Sequence, residues 1–219
     1  MKRISRVVAA VVTAATIAVP FLMPSPAFAH ASPVIRFPTE GEVLQASPSA
    51  VRITFSEPIT GGSTALRVFA SSGSVRSGSA RVNGATVSAP VAQLTPGRYA
   101  LVWDVVSDDG HLVSAASGFA VRRQDPPASA TTRRISGQAI TLSGDRVGTR
   151  SVVLSGGLSG AIGQVEWRIP GVPAPFTWTL SSGRARGMLP FAGTYAVTIR
   201  AYTSATSSKV LTGSIRIRR

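Results

Sequence analysis

The chain has 219 residues, a formal net charge of +14 and no cysteine. It is long enough for one large or two small domains with buried cores. The missing thiols exclude disulfide stapling, thiolate metal sites and cysteine nucleophiles, so any bound metal must be held by nitrogen and oxygen.

The first 29 residues read as a signal peptide. Lys2, Arg3 and Arg6 form a charged start, Val7 to Met23 is apolar and broken by Pro20, and Ala27-Phe28-Ala29 is a small-residue cleavage pattern. Cleavage after Ala29 leaves His30 as the first residue of the mature chain. The Lys2-Arg3 pair points to general secretion rather than the twin-arginine route. No later segment has the apolar length of a membrane span, so the mature protein is expected to be exported, to the periplasm or the outer face of the cell envelope.

Charge divides the remainder. Residues 30–127 carry 8 Arg/Lys against 7 Asp/Glu, whereas residues 128–219 carry 12 against 2. Such asymmetry argues for two units with different tasks. The expected division is a β domain over 30–123, a linker over 124–132 (Gln-Asp-Pro-Pro-Ala-Ser-Ala-Thr-Thr) and a basic β-sandwich over 133–219.

In the first unit, Val51-Arg52-Ile53-Thr54-Phe55 alternates apolar and polar residues with the period of a half-buried strand. Leu66-Arg67-Val68-Phe69 is a second strand, and Asn83-Gly84 is a hairpin dipeptide. Pro96-Gly97 turns into the longest strand, Tyr99 to Trp103, whose aromatic residues are expected to pack in the core, and Phe119-Ala120-Val121 is expected to close the fold. The second unit offers strands at 138–142, 151–154, 164–169, 193–199 and 214–217. Regularly spaced short strands without helical periodicity predict an all-β protein, a small barrel or sandwich followed by an immunoglobulin-like sandwich. Gly97-Arg98-Tyr99-Ala100 and Gly193-Thr194-Tyr195-Ala196 are similar turn-to-strand entries, too short to define a repeat.

The chain has two histidines, His30 and His111. A histidine with a free α-amine can chelate one ion through its amine and ring nitrogens. The second lies in Ser107-Asp108-Asp109-Gly110-His111, where Asp109 and His111 are two apart and would share a face of an extended segment. Two imidazoles, an amine and a carboxylate are the tetragonal nitrogen and oxygen set that Cu(II) favours over Zn(II). Asp108 is expected to be solvated.

With these motifs in view, the first unit resembles the CopC family of exported copper-binding proteins. The resemblance is carried by His30-Ala31-Ser32-Pro33, Phe55-Ser56-Glu57-Pro58, Leu94-Thr95-Pro96-Gly97-Arg98-Tyr99 and Trp103 through His111, and it spans about 30–122. It implies a Greek-key β-barrel holding Cu(II) through His30, Asp109 and His111, with Glu57 an additional or supporting carboxylate. It also implies a CopD-type membrane copper transporter as partner. Some members hold Cu(I) in a methionine-rich segment, and residues 30–127 contain no methionine, so that site is expected to be missing.

The function this predicts is sequestration or delivery of copper outside the cytoplasm, without enzymatic activity. The alternatives are a copper-dependent oxidative enzyme resembling lytic polysaccharide monooxygenases, which also use an N-terminal histidine, and a metal-free surface module. The basic second unit, with Arg184, Arg186, Arg216, Arg218 and Arg219, is a candidate for attachment to anionic cell-envelope polymers or lipid headgroups. Nucleic acid is not expected as a partner of an exported protein.

Overall fold

A computed structural model describes residues 31–124, 126–145 and 148–218, without the side chains of 61–63. The signal peptide and His30 lie outside the described residues. Every regular element among these is a strand except one 3-10 turn, Gly156–Leu158. The strands are β1 (Pro33–Phe37), β2 (Val43–Leu44), β3 (Ala50–Phe55), β4 (Ile59–Ala70), β5 (Arg81–Asn83), β6 (Thr86–Pro90), β7 (Gly97–Ser107) and β8 (Leu112–Val121) in the first half. The second half contains β9 (Pro127–Ile135), β10 (Gln138–Asp145), β11 (Gly148–Leu154), β12 (Ile162–Arg168), β13 (Phe176–Leu180), β14 (Arg184–Leu189), β15 (Gly193–Ser204) and β16 (Ser207–Ile217).

The first half is a sandwich and not a closed barrel. A sheet in the order β1-β3-β6-β5 faces β4-β7-β8, and among the described residues β1 pairs only with β3. The predicted alternation of β3 is observed: Val51, Ile53 and Phe55 are buried while Arg52 is exposed. They meet Leu66, Val68, Leu101, Trp103 and Phe119 in one core. The second half repeats the two-layer plan, with β14-β11-β10-β9 facing β16-β15-β12-β13. Its core is aromatic: the Trp167 ring centroid lies 5.1 Å from Trp178 and 6.3 Å from Tyr195.

Two expectations are corrected here. Phe119–Val121 does not close the fold, because β8 continues into the second half by a parallel bridge between Ala116 and Phe176 of β13. One eight-stranded sheet therefore runs through both halves. Strand β7 consequently has both faces covered, which explains its unbroken apolar run, Tyr99 to Trp103. Leu101 and Trp103 belong to the first core, while Ala100 and Val102 join the second. The second correction concerns 124–132: from Pro127 onward it is strand β9, paired with β10 as Thr131↔Leu142 and Arg133↔Ile140. The β-branched Thr131, Thr132 and Ile135 suit a strand, and Pro127 at its first position costs no ladder bond.

Contacts between the halves are close. The Ala116 N–H donates to Pro175 O at 2.7 Å, Arg98 Nε donates to Pro190 O at 2.9 Å, and Met188 N donates to Glu40 Oε1 at 2.5 Å. A Cβ on Gly118 would stand 2.7 Å from Met188 Cβ, so glycine permits the approach.

The two short Tyr motifs build the same device. Tyr99 Oη donates to Thr95 O at 2.7 Å, and Tyr195 Oη donates to Phe191 O at 2.9 Å. Each hydroxyl ties the start of a core strand to the backbone four residues upstream, as the tyrosine corner of immunoglobulin-like sandwiches does.

Candidate metal centre

The hairpin joining β7 to β8 carries Asp109 and His111. Its turn is tight: Ser107 N donates to His111 O at 3.0 Å and Gly110 N to Ser107 O at 2.8 Å. Gly110 occupies φ +84°, a left-handed conformation that glycine enters without Cβ strain. The segment is thus a turn and not the extended stretch expected from sequence.

Asp109 is the hub of this turn. Its Oδ1 accepts from the buried Ser107 hydroxyl and from the His111 backbone N–H at 3.1 Å. Its Oδ2 lies 2.9 Å from His111 Nδ1. These bonds stabilise the carboxylate, the Ser107 hydroxyl most of all, and bring its pKa down to about 2. Asp109 is therefore anionic at any physiological pH. The His111 side chain is 56% exposed, so the ring is oriented by the carboxylate yet open to solvent.

A second turn lies against the first. Asp108 N donates to Pro58 O at 3.1 Å, which fixes the β3–β4 corner beside the β7–β8 turn. In that corner Glu57 is half-buried, and its Oε1 is sealed from solvent without a hydrogen-bond partner among the described residues. A buried carboxylate oxygen without a partner is costly.

The start of the described chain reaches the same end of the sandwich. Ser32 N donates to Ser56 Oγ at 3.0 Å, and Ser56 N donates back to Ser32 O at 2.9 Å. Ala31 is buried in the first core. Three segments, 31–32, 56–58 and 107–111, are thereby tied by backbone hydrogen bonds.

The structure joins Asp109 and His111 directly, and places Glu57 in the neighbouring turn. Among the described residues, no group of three or more His, Asp or Glu side chains is close enough to hold a metal ion. His30 is outside those residues. Asp108 is exposed, as expected, and Trp103 and Tyr99 are core residues. Sequence reasoning gave no role to Ser107 or Ser56, although both stand inside the quoted motifs; a serine two positions before an aspartate is too common a pattern to signal a carboxylate clamp.

These features define a small β-sandwich with a carboxylate–imidazole pair at one end. Residues 35–122, less than half of the chain, match the family model of the CopC domain. The matched span lies within the first half, the sandwich that carries the carboxylate–imidazole pair. No curated protein matches the chain. Similar solved structures include CopC from Methylosinus trichosporium OB3b, at 22% identity over 44% of this chain and 98% of that one, with a TM-score of 0.41. PcoC, a methionine-rich copper resistance protein from Escherichia coli, has 22% identity over 42% and 98%, with a TM-score of 0.37. Fibronectin(III)-like modules of Clostridium thermocellum CbhA cover 86% of this chain and 94% of theirs, at 12% identity and a TM-score of 0.28. No helix among the described residues is long and apolar enough to cross a membrane.

Proposed function

We propose that this protein binds Cu(II) outside the cytoplasm, to sequester or deliver it, after removal of a signal peptide that exposes His30. The ligand set is the amine and ring of His30, with Asp109 and His111, and Glu57 as a further carboxylate. The observation that carries the reading is the β7–β8 turn, where an exposed imidazole is paired with an anionic carboxylate and bonded to the corner that holds the partnerless Glu57 oxygen.

The donor chemistry suits Cu(II): nitrogen from imidazole and amine, hard oxygen from carboxylate, and no thiolate or thioether. Nδ1 of His111 engages Asp109, so Nε2 is the nitrogen that meets the ion. This is the carboxylate–histidine arrangement that orients ring ligands and raises their basicity. Ligation by Asp109 would exchange its Oδ2 contact with Nδ1 for the ion. Anionic Asp109 and Glu57 offset part of the +2 charge in either case. Binding releases protons, because the amine (ordinary pKa ~7.7–8.0) and the imidazoles coordinate only when neutral.

The division into a copper-binding unit over 30–123 and a basic β-sandwich over 133–219 belongs to the same proposal. The basic half attaches the protein to anionic cell-envelope surfaces, and a CopD-type membrane transporter receives the ion. The protein acts as a carrier rather than a catalyst.

The test is a competitive Cu(II) titration of the chain beginning at His30, of the same chain with one residue added before His30, and of His111→Ala. Both changes are expected to weaken binding by roughly 100-fold or more, beyond the usual cost of losing a supporting group. Equal affinities for all three would overturn the site.

A further inference from the structure

The C-terminal sandwich has an open seam. Strand β9 is the edge of one of its sheets and β16 is the edge of the other, and the two edges face each other. A cavity of about 360 Å³ opens between them, lined by four arginines, Arg133, Arg150, Arg216 and Arg218, together with Ser129 and Thr131. Among the described residues, no carboxylate lines it.

The arginines come from three strands and do not stand alike. Arg150 shares one face of β11 with buried Val152 and Leu154, so it points between the sheets and is only 8% exposed. Arg133 pairs with buried Ile140, and Thr131 with buried Leu142, so both face the same interior. Arg216 on β16 and Arg218 just beyond its end alternate with buried Ile215 and Ile217 and form the exposed rim. Among the described residues, Arg133, Arg216 and Arg218 make no ion pair.

Burying a guanidinium is costly, and burial pulls the Arg150 pKa below its ordinary value, against the attraction of Asp145 and Tyr195. Arginine nevertheless remains protonated, so the cavity keeps a buried cation beside three more. An anion entering the seam relieves that repulsion. A carboxylate offers two coplanar oxygens, whereas a phosphate group presents oxygens in several directions to guanidinium forks arriving from different strands. The hydroxyls of Ser129 and Thr131 add neutral donors.

We propose that the seam between β9 and β16 is a binding site for a phosphate group, free or carried by a lipid headgroup or polymer. The proposal rests on, and deepens, the reading that the basic half meets anionic partners. It also regroups the charges: Arg216 and Arg218 act with Arg133 and Arg150, not with Arg184 and Arg186 of β14, which are not among the residues lining the seam.

The experiment titrates the chain beginning at His30 with inorganic phosphate at constant ionic strength, read by calorimetry and thermal unfolding, with acetate as control. Saturable binding of phosphate and none of acetate is expected. Arg133→Gln and Arg216→Gln, at exposed positions that the fold does not require, should each weaken it by roughly tenfold. Arg150→Lys, which keeps the charge and loses the fork, should weaken it too. Phosphatidylglycerol vesicles that compete with phosphate assign the source to a lipid headgroup; saturable phosphate binding without such competition assigns it to free or polymeric phosphate. Binding that acetate matches, or that Arg133→Gln leaves unchanged, overturns the site. Salt-sensitive adsorption to vesicles without saturable phosphate binding also overturns it, while leaving the broader surface reading in place.

Discussion

The two halves of the molecule use the same frame for opposite ends. Each is a two-layer sandwich locked by a tyrosine hydroxyl bonded four residues upstream, Tyr99 to Thr95 and Tyr195 to Phe191. In the first half the chemistry sits on an exposed turn, where Asp109 and His111 are held by short-range hydrogen bonds. In the second, the unusual chemistry sits inside, where Arg150 is buried between sheets and opens to a seam of further arginines. An end turn suits capture of a small ion from solvent. An open seam between edge strands suits a bulkier anion. The frame is common to both; the placement of charge differs.

The largest test of this contrast is on the second core. Trp167→Ala removes the centre of the Trp167–Trp178–Tyr195 cluster and should cost roughly 3–5 kcal/mol in thermal or denaturant unfolding. Copper affinity should stay within a few-fold of the parent where the protein is folded. A proportionate loss of copper binding would show that the halves cannot be treated apart.

Next are the two devices that join them. Glu40 accepts from Met188 N, and burial pushes its carboxyl up to about 7 from an ordinary 4.5. An acid with a raised folded pKa contributes most at low pH, below its unfolded value. That contribution is lost as pH rises from 4.5 through 7, and is on the order of 2 kcal/mol because the residue is only partly buried. Glu40→Gln should flatten this part of the stability–pH profile; an unchanged slope would remove Glu40 as its source. Gly118→Ala places a methyl carbon where Met188 already stands and should cost about 1–3 kcal/mol, measured by unfolding. An unperturbed midpoint would mean that the halves slide without penalty.

The smallest expected effect sharpens the description of the turn. Ser107→Ala leaves both Asp109 and His111 in place and removes the hydroxyl that clamps the carboxylate. Copper affinity should fall by roughly tenfold, in the range for a group supporting a ligand. No change would indicate that the backbone alone orients Asp109.

Much of the fold was legible along the chain. Period-two alternation marked β3, and the Asn83-Gly84 turn joins β5 to β6 as expected, with Gly84 at φ +57°. Strands β13 and β14 were missed. Phe176-Thr177-Trp178-Thr179-Leu180 does alternate, but it is five residues long and follows a proline-rich stretch, while β14 mixes Arg, Gly and Met. Its Gly187 is small because Trp178 lies against it; a Cβ there would meet the indole nitrogen at 2.0 Å. No local pattern announces a glycine required by a tryptophan on another strand.

By itself the sequence determined the all-β class, the absence of thiol chemistry, the charge imbalance and the Asp-Gly-His motif, because these depend on residue identity and near-neighbour spacing. Tertiary structure alone decided that β8 pairs with β13 and that 127–132 is a strand. It alone placed the Glu57 corner against the Asp109 turn, and Arg133 and Arg150 in one cavity with Arg216. Each of these depends on which strand edges meet across many intervening residues. Hydrophobic periodicity says which face of a strand is buried but not which strand lies beside it.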